Sequence, residues 1–271
     1  MLKKFQDQSS TQVKLRLSRT RFASDGTYRL RKKLGQRLGK LHQIAIVDLC
    51  RAPVISWLMS QLSRLLHPFR FTSWEDTEGR ILHQGYSRTN VRRLLVRPLS
   101  RSTIPISLAS SLTWPQTNSK QVLLVGPRFD SDYFLLRGHG FSRKNITLLD
   151  QFSTSHRIQV GDAHALPYPD SCFEIVILSW CLAYSSHPEQ MVAESWRVLT
   201  QDGVLISCSD SYNSSERVRN KDDLDGADAH DLSSSSVLKL LPDGADILAE
   251  FDGPKNADGV RAVSCVAVKK S

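Results

Sequence analysis

The sequence predicts an α/β fold: a mostly parallel sheet flanked by helices, finished by a C-terminal antiparallel hairpin and preceded by a basic, mainly helical region. Three observations predict it. From Gln121 onward, short β-branched runs alternate with helical stretches. The last two runs, Asp246–Phe251 and Val260–Val268, are separated only by Asp252–Gly259, which is too short for the crossover that parallel pairing requires. The charge is also split. Residues 1–101 carry 21 Lys/Arg against 6 Asp/Glu, a balance of +15, and residues 102–271 carry 15 against 21, a balance of −6, within a total of +9.

Residues 1–26 show no sustained periodicity and read as an arm. Tyr28–Leu49 sets Leu30, Leu34, Leu38, Leu41, Ala45 and Leu49 at three- and four-residue steps, the pattern of an amphipathic helix whose other face carries Arg29, Arg31, Lys32, Lys33 and Arg37. Pro53 suits the first turn of a second helix running to Leu66, where His67-Pro68 ends it. This helix either packs on the first helix or the main domain, or presents a peripheral face to an anionic membrane surface. Residues 70–112 hold Trp74, Tyr86, Arg88, Arg92, Arg93, Arg97 and Arg101 without a regular pattern, and Thr113–Ser119 is rich in turn formers. Residues 1–112 are therefore expected to form a basic, partly helical extension or cap, and 113–271 the main domain.

Within that domain the pattern predicts strand Gln121–Val125, helix Asp130–Arg137, a glycine break at Gly138 and Gly140, strand Ile146–Leu149 and a short strand near Arg157–Val160. Strand Phe173–Ser179, helix Pro188–Leu199, strand Val204–Cys208, helix Ser233–Leu241 and the terminal hairpin follow, with Ser209–Leu232 as an acidic loop over the site. The architecture is Rossmann-like, and its ligands lie outside the carboxyl ends of the strands.

Composition narrows the function classes. Five scattered cysteines without CxxC or histidine-paired spacing read as small core residues in a reducing, cytoplasmic setting, with no metal site. No secretory signal follows Met1-Leu-Lys-Lys4, although an Arg- and Ser-rich start also suits a mitochondrial presequence. Ile44–Leu66 is interrupted by Asp48, Arg51, Pro53 and Arg64 and does not read as a membrane span. No recognised nucleic-acid motif accompanies the basic charge, so nucleic acid ranks low as a partner.

Two stretches carry a resemblance. Gly161-Asp-Ala-His-Ala-Leu-Pro-Tyr-Pro-Asp-Ser-Cys-Phe-Glu-Ile-Val176 resembles the adenine loop and fourth strand of the class I S-adenosylmethionine-dependent methyltransferases, specifically the type 11 methyltransferase domain. Arg197-Val-Leu-Thr-Gln-Asp-Gly203 is similar to the turn before that family's fifth strand. The resemblance is close over Gln121–Ser209 and looser to Ser271. It implies strand order 3-2-1-4-5-7-6 and S-adenosyl-L-methionine as cofactor. It also implies Asp150 against the ribose hydroxyls, Asp162 against the adenine amine and the Ala163 amide against a ring nitrogen. Ser179 and Trp180 fall beside the sulfonium; Trp180 is open between pocket wall and core, and each acid between cofactor ligand and turn residue. Tyr184 and His187 fall on the acceptor side as candidate bases, His187 equally as a cap residue before Pro188.

The first loop departs from the family's pattern and is degenerate. Gly126 is kept, but Leu124 replaces the usual acid, and Pro127, Arg128, Phe129 and Asp130 replace the glycines. Arg128 is read as a partner for the methionine carboxylate; the competing reading is a pocket that no longer binds cofactor. The sequence thus implies a methyltransferase acting on a small-molecule, sugar or lipid-linked acceptor. The alternative is an inactive methyltransferase-like module that binds a membrane surface or a protein partner through its basic front. A short-chain dehydrogenase is disfavoured, since no GxGxxG opens the first helix and no Tyr-x-x-x-Lys pair follows the fourth strand.

Overall fold

The strand Phe173–Ser179 shows how the sheet is built. Ile175 and Ile177 turn to one face, Val176 and Leu178 to the other, and all four are fully buried. A strand apolar on both faces must be covered by helices on both sides. The computed structural model describes residues 48–66, 72–73, 101–127, 129–153, 155–185, 187–211, 232–254 and 261–271. The helix predicted over Tyr28–Leu49 lies outside these up to Val47, as do Trp74, Tyr86 and the basic cluster Arg88–Arg97.

Seven strands form one sheet: β1 (Val122–Val125), β2 (Ile146–Asp150), β3 (Ile158–Val160), β4 (Phe173–Ser179), β5 (Leu199–Ser211), β6 (Ala245–Asp252) and β7 (Arg261–Lys270). Their order is β3-β2-β1-β4-β5-β7-β6, with β1–β5 parallel and β7 antiparallel to both neighbours. This is the order the resemblance implies, with the terminal hairpin where the short connection requires it. β5 starts earlier than expected. A register shift carries Phe173↔Leu199 to Ile175↔Val204, so the turn residues 200–203 bulge within the strand instead of preceding it.

Among the described residues the α-helices are α1 (Pro53–Leu66), α2 (Thr103–Thr113), α3 (Asp130–Gly138), α4 (Pro188–Val198) and the single-turn α5 (Ser234–Leu238), shorter than the predicted Ser233–Leu241. Met191, Val192 and Val198 of α4 and Val237 of α5 join Leu123, Val125, Val176 and Leu178 on one face. Ile106 and Ala109 of α2 and Leu135 and Leu136 of α3 join Val122, Leu124, Ile175 and Ile177 on the other. α2, for which the sequence gives no periodic signal, therefore covers the sheet directly.

α1 packs on the outside of α3 and runs antiparallel to it. At one end the Arg51 Nε donates to the Gly138 carbonyl at 2.8 Å. A Cβ on Gly138 would lie 2.4 Å from the Arg51 nitrogen and the Cys50 carbonyl carbon, so this glycine, expected as a break, is the last helical residue and permits close approach. At the other end Ser63 Oγ donates to Asp130 Oδ2 at 3.1 Å, and Arg157 Nη1 reaches both Asp130 Oδ2 and Ser63 Oγ at 2.9 Å. The Arg157 guanidinium lies 5.1 Å from the Tyr133 ring centre and 5.2 Å from that of Phe134.

A pair this enclosed costs more to break than to replace. Asp130→Ala should lower stability in urea unfolding by about 3 kcal/mol, because the cation beside the two rings loses its counter-charge. Asp130→Leu combined with Arg157→Met should recover most of that loss; a double variant less stable than Asp130→Ala would refute this account.

Candidate functional site

Because β3, β2, β1 and β4 are parallel neighbours, their carboxyl ends form one edge, and the strand order reverses between β1 and β4. Gly126 follows β1, Asp150 ends β2, Asp162 follows β3, and Ser179-Trp180 close β4. The residues predicted from sequence therefore gather on one edge, apart from Arg128, which lies outside the described residues.

Gly126 has φ +78° and donates its amide to the Leu149 carbonyl at 3.0 Å. A Cβ there would meet Cys181 Cβ at 2.8 Å and the Ser179 carbonyl oxygen at 2.9 Å. The glycine is thus required for the chain leaving β1 to press against the chain leaving β4. Cys181 Sγ donates to the Val125 carbonyl at 3.6 Å. Burial pushes its thiol up to about 12, with the Asp150 carboxylate adding to the shift, so it stays a neutral thiol at pH 7. Pro127 and Phe129 are buried, so the first turn carries side chains inward rather than bare backbone.

Asp162 anchors a three-residue chain. Its Oδ1 accepts from the His164 amide at 2.9 Å and lies 2.7 Å from His164 Nδ1, and His164 Nε2 lies 2.6 Å from Ser185 Oγ. A carboxylate only accepts, so Nδ1 carries the proton, and in the neutral ring Nε2 accepts from the Ser185 hydroxyl. That hydroxyl in turn accepts from the His187 amide at 3.1 Å. Burial raises the Asp162 carboxyl, but the side-chain and backbone hydrogen bonds from His164 outweigh it and hold the pKa below its ordinary value. Asp162 Oδ2 and the Ala163 amide have no hydrogen bond among the described residues. An acceptor and a donor thus stand unmet on adjacent residues.

The loop beyond Asp162 is gripped by Arg197 on α4. Its Nε and Nη2 donate to the two Glu194 carboxylate oxygens, each at 2.8 Å, and Nη2 also donates to the Leu166 carbonyl at 3.1 Å. Nη1 donates to the Tyr168 carbonyl at 2.9 Å and to Asp170 Oδ1 at 2.6 Å. All five guanidinium donors are used. Glu194 Oε2 accepts the Leu166 amide as well, at 2.8 Å. The Arg197 hydrogen bonds hold the Glu194 carboxyl below its usual range, against burial.

At the end of β4, Ser179 Oγ is 2.9 Å from Ser102 Oγ, at the start of α2. Trp180 adopts φ +58° and donates its amide to the Cys208 carbonyl at 2.8 Å. Its ring is buried in the α2–α3 face of the core, with the Arg101 guanidinium 5.1 Å from its centre, and its Nε1 is buried without a partner among the described residues. Tyr184 is half-buried and packs against the α4-side core. His187 precedes α4, with its side chain 65% exposed and Nδ1 3.7 Å from Glu189 Oε1. The His164 and His187 rings lie edge to face with centres 6.2 Å apart. His164, Ser185, Glu194 and Arg197 take no role in the sequence reading; their partners are loop carbonyls and turn residues that no spacing rule pairs.

Residues 138–207 match a family model described as a methyltransferase domain. Two solved structures share the fold at a TM-score of 0.50. One, a [4+2]-cyclase named SpnF, is 17% identical, with 70% of this chain and 95% of that one covered. The other, a geranyl diphosphate methyltransferase in complex with GPP and sinefungin, is 10% identical, with 62% and 78% covered. No curated protein matches the sequence.

Gly126→Ala should destabilise by roughly 2–4 kcal/mol in thermal unfolding, since both the positive φ and a backbone oxygen oppose a Cβ; a variant as stable as the parent would contradict the packing described. Arg197→Ala should cost about 2 kcal/mol at pH 7. The depressed Glu194 pKa contributes stability that is present above the unfolded carboxyl value and lost as pH falls through the lower folded one. The deficit of Arg197→Ala should therefore hold from pH 7 to 5.5 and shrink below about pH 4, read from urea midpoints across pH.

Proposed function

We propose, from the premise that this chain carries a class I methyltransferase fold, that it is an S-adenosylmethionine-dependent methyltransferase acting on a small-molecule, sugar or lipid-linked acceptor. The observation that carries this reading is the unmet pair at the end of β3. Asp162 Oδ2 offers an acceptor and the Ala163 amide a donor, the complement of an adenine amine and its neighbouring ring nitrogen. Asp150 ends the adjacent strand, where a carboxylate suits two vicinal ribose hydroxyls. The donor set therefore fits the adenosine half of the cofactor.

When bound, S-adenosylmethionine supplies a methyl group on a positively charged sulfur, open to displacement by an oxygen, nitrogen or carbon nucleophile. The work left to the chain is alignment and exclusion of water. Gly126, Cys181 and Ser179 close the floor between β1 and β4, and the buried indole Nε1 of Trp180 is a donor with no protein partner among the described residues. Arg128 is our candidate for the methionine carboxylate, as a guanidinium fork matches it. A hydroxyl or protonated amine acceptor needs a base. His187 is the open candidate, whereas Tyr184 is packed against the core.

A second reading, an inactive module of the same fold, is favoured by the first turn. Its glycine is committed to contact within the protein, and Phe129 and Pro127 are buried there. One of the fold neighbours is moreover named a cyclase rather than a methyltransferase, so binding and transfer are tested separately. Titration calorimetry with S-adenosylhomocysteine should show binding, and Asp150→Asn or Asp162→Asn should each weaken it by about ten- to a hundredfold. Labelled methyl transfer from S-adenosylmethionine into a cell extract should then detect product. Absence of binding by the unaltered protein would favour the inactive module, and binding without transfer would remove the enzyme reading alone.

A further inference from the structure

The helix α1 is turned inside out. Its buried positions are Ser56, Ser60 and Ser63, while Val54, Leu58, Leu62 and Leu65 are 45, 49, 36 and 68% exposed. The four apolar residues are spaced by four, four and three, which places them along one stripe of the helix. The serines explain the inner face. Small side chains let α1 lie close on α3: Ser56 Oγ donates to the Pro53 carbonyl at 2.9 Å and Ser63 Oγ to Asp130, while Ser60 Oγ is buried without a partner among the described residues. Nothing in that packing explains four large apolar side chains facing outward, where a water-facing helix places charge.

We propose that this stripe docks on an anionic lipid bilayer. The chemistry of the surrounding sequence selects that occupant. α1 contains no acidic residue, and residues 1–101 as a whole carry the +15 balance, so the outward leucines sit in the most basic part of the chain. A short apolar face alone binds a bilayer weakly, and basic residues drawn to anionic headgroups supply the second attraction that stable peripheral binding needs. α1 has 14 residues, fewer than a bilayer span needs, so its contact would lie in the interface plane.

The orientation of α1 gives the docking a consequence. The Arg51–Gly138 bond fixes its N-terminal end at the C-terminus of α3, and the Ser63–Asp130 bond fixes its C-terminal end at the N-terminus of α3, just beyond β1. Leu62 and Leu65 therefore lie at the end of α1 that meets the N-terminus of α3, the helix that follows β1. A bilayer resting on the stripe would suit a membrane-resident, lipid-linked molecule as the acceptor class. Only this last step rests on the transferase reading; the docking does not.

Sedimentation of the full chain with vesicles of phosphatidylcholine and phosphatidylserine in a 70:30 ratio, and with pure phosphatidylcholine vesicles, tests the proposal. The chain should pellet with the anionic vesicles and much less with the neutral ones. Leu58→Gln, Leu62→Gln and Leu65→Gln combined should weaken the anionic partition by about tenfold or more, with the thermal midpoint unchanged because these side chains face outward. As a reading independent of that variant's folding, a Leu65→Trp reporter should blue-shift on adding the anionic vesicles. An unaltered chain that stays in the supernatant, a triple variant that pellets like its parent, or a reporter spectrum that does not move would overturn the proposal. So would equal pelleting with both vesicle types. A triple variant that changes oligomeric mass would assign the stripe instead to a second copy of the chain.

Discussion

A loop between two parallel strands has no ladder of its own, and residues 161–172 must be held from outside. Arg197 holds them. Its planar fork reaches the Leu166 and Tyr168 carbonyls and the Asp170 carboxylate while staying fixed to Glu194 one turn back along α4, and Glu194 takes the Leu166 amide in return. A lysine at this position would offer a point charge where five directed donors are used. Loop, helix and carboxyl edge thereby become one unit, and the unmet Asp162 and Ala163 groups stand at a fixed place instead of on a wandering turn. The Asp162–His164–Ser185 chain extends the unit to the segment after β4. The loop after β3 and the segment after β4 are mechanically one piece.

What the sequence discloses follows from how local the signal is. β4 is legible because four consecutive residues, Ile175–Leu178, are apolar on both faces, and the hairpin because eight residues cannot hold a crossover. The strand-end positions of Asp150 and Asp162 are legible because strand ends are. α2 is not: Ile104, Ile106, Leu108, Ala109 and Leu112 spread around the helix, and two of them, Ile104 and Leu112, face outward, so no single stripe marks it. Arg197 lies in plain view within a recognisable stretch, yet its partners are carbonyls some thirty residues earlier, and backbone acceptors leave no trace in side-chain spacing. His164 is hidden for the same reason, since its partner Ser185 lies beyond β4.

α1 marks the opposite failure. Its apolar residues are conspicuous in sequence, and the ordinary inference is that they face the core. In the structure the buried positions are serines, small side chains that suit the packing of α1 on α3. Gly138 shows the same constraint at the end of α3, where even a methyl group would overlap the Cys50–Arg51 backbone. Amphipathic pattern fixes that a helix has two faces. Which one turns inward depends on the separation the neighbouring helix imposes.

The same competition for space decides how a cofactor could be gripped. On the β3 side Asp162 Oδ2 and the Ala163 amide have no partner among the described residues, and Arg197 holds their loop in place. On the β1–β4 side the protein has already used what a ligand would want: the Gly126 amide is bonded to Leu149, and the room beside its Cα is taken by Cys181 and the Ser179 carbonyl. A nucleoside would therefore be recognised mainly by its base and ribose. The methionine moiety would depend on side chains such as Arg128 rather than on a cradle of bare backbone. Such a site tolerates a first turn poor in glycine, because a guanidinium can supply to a carboxylate the hydrogen bonds that backbone amides would otherwise donate. The acceptor and donor offered by Asp162 Oδ2 and the Ala163 amide have no such substitute, and the loop that carries them is held in place by Arg197 and His164.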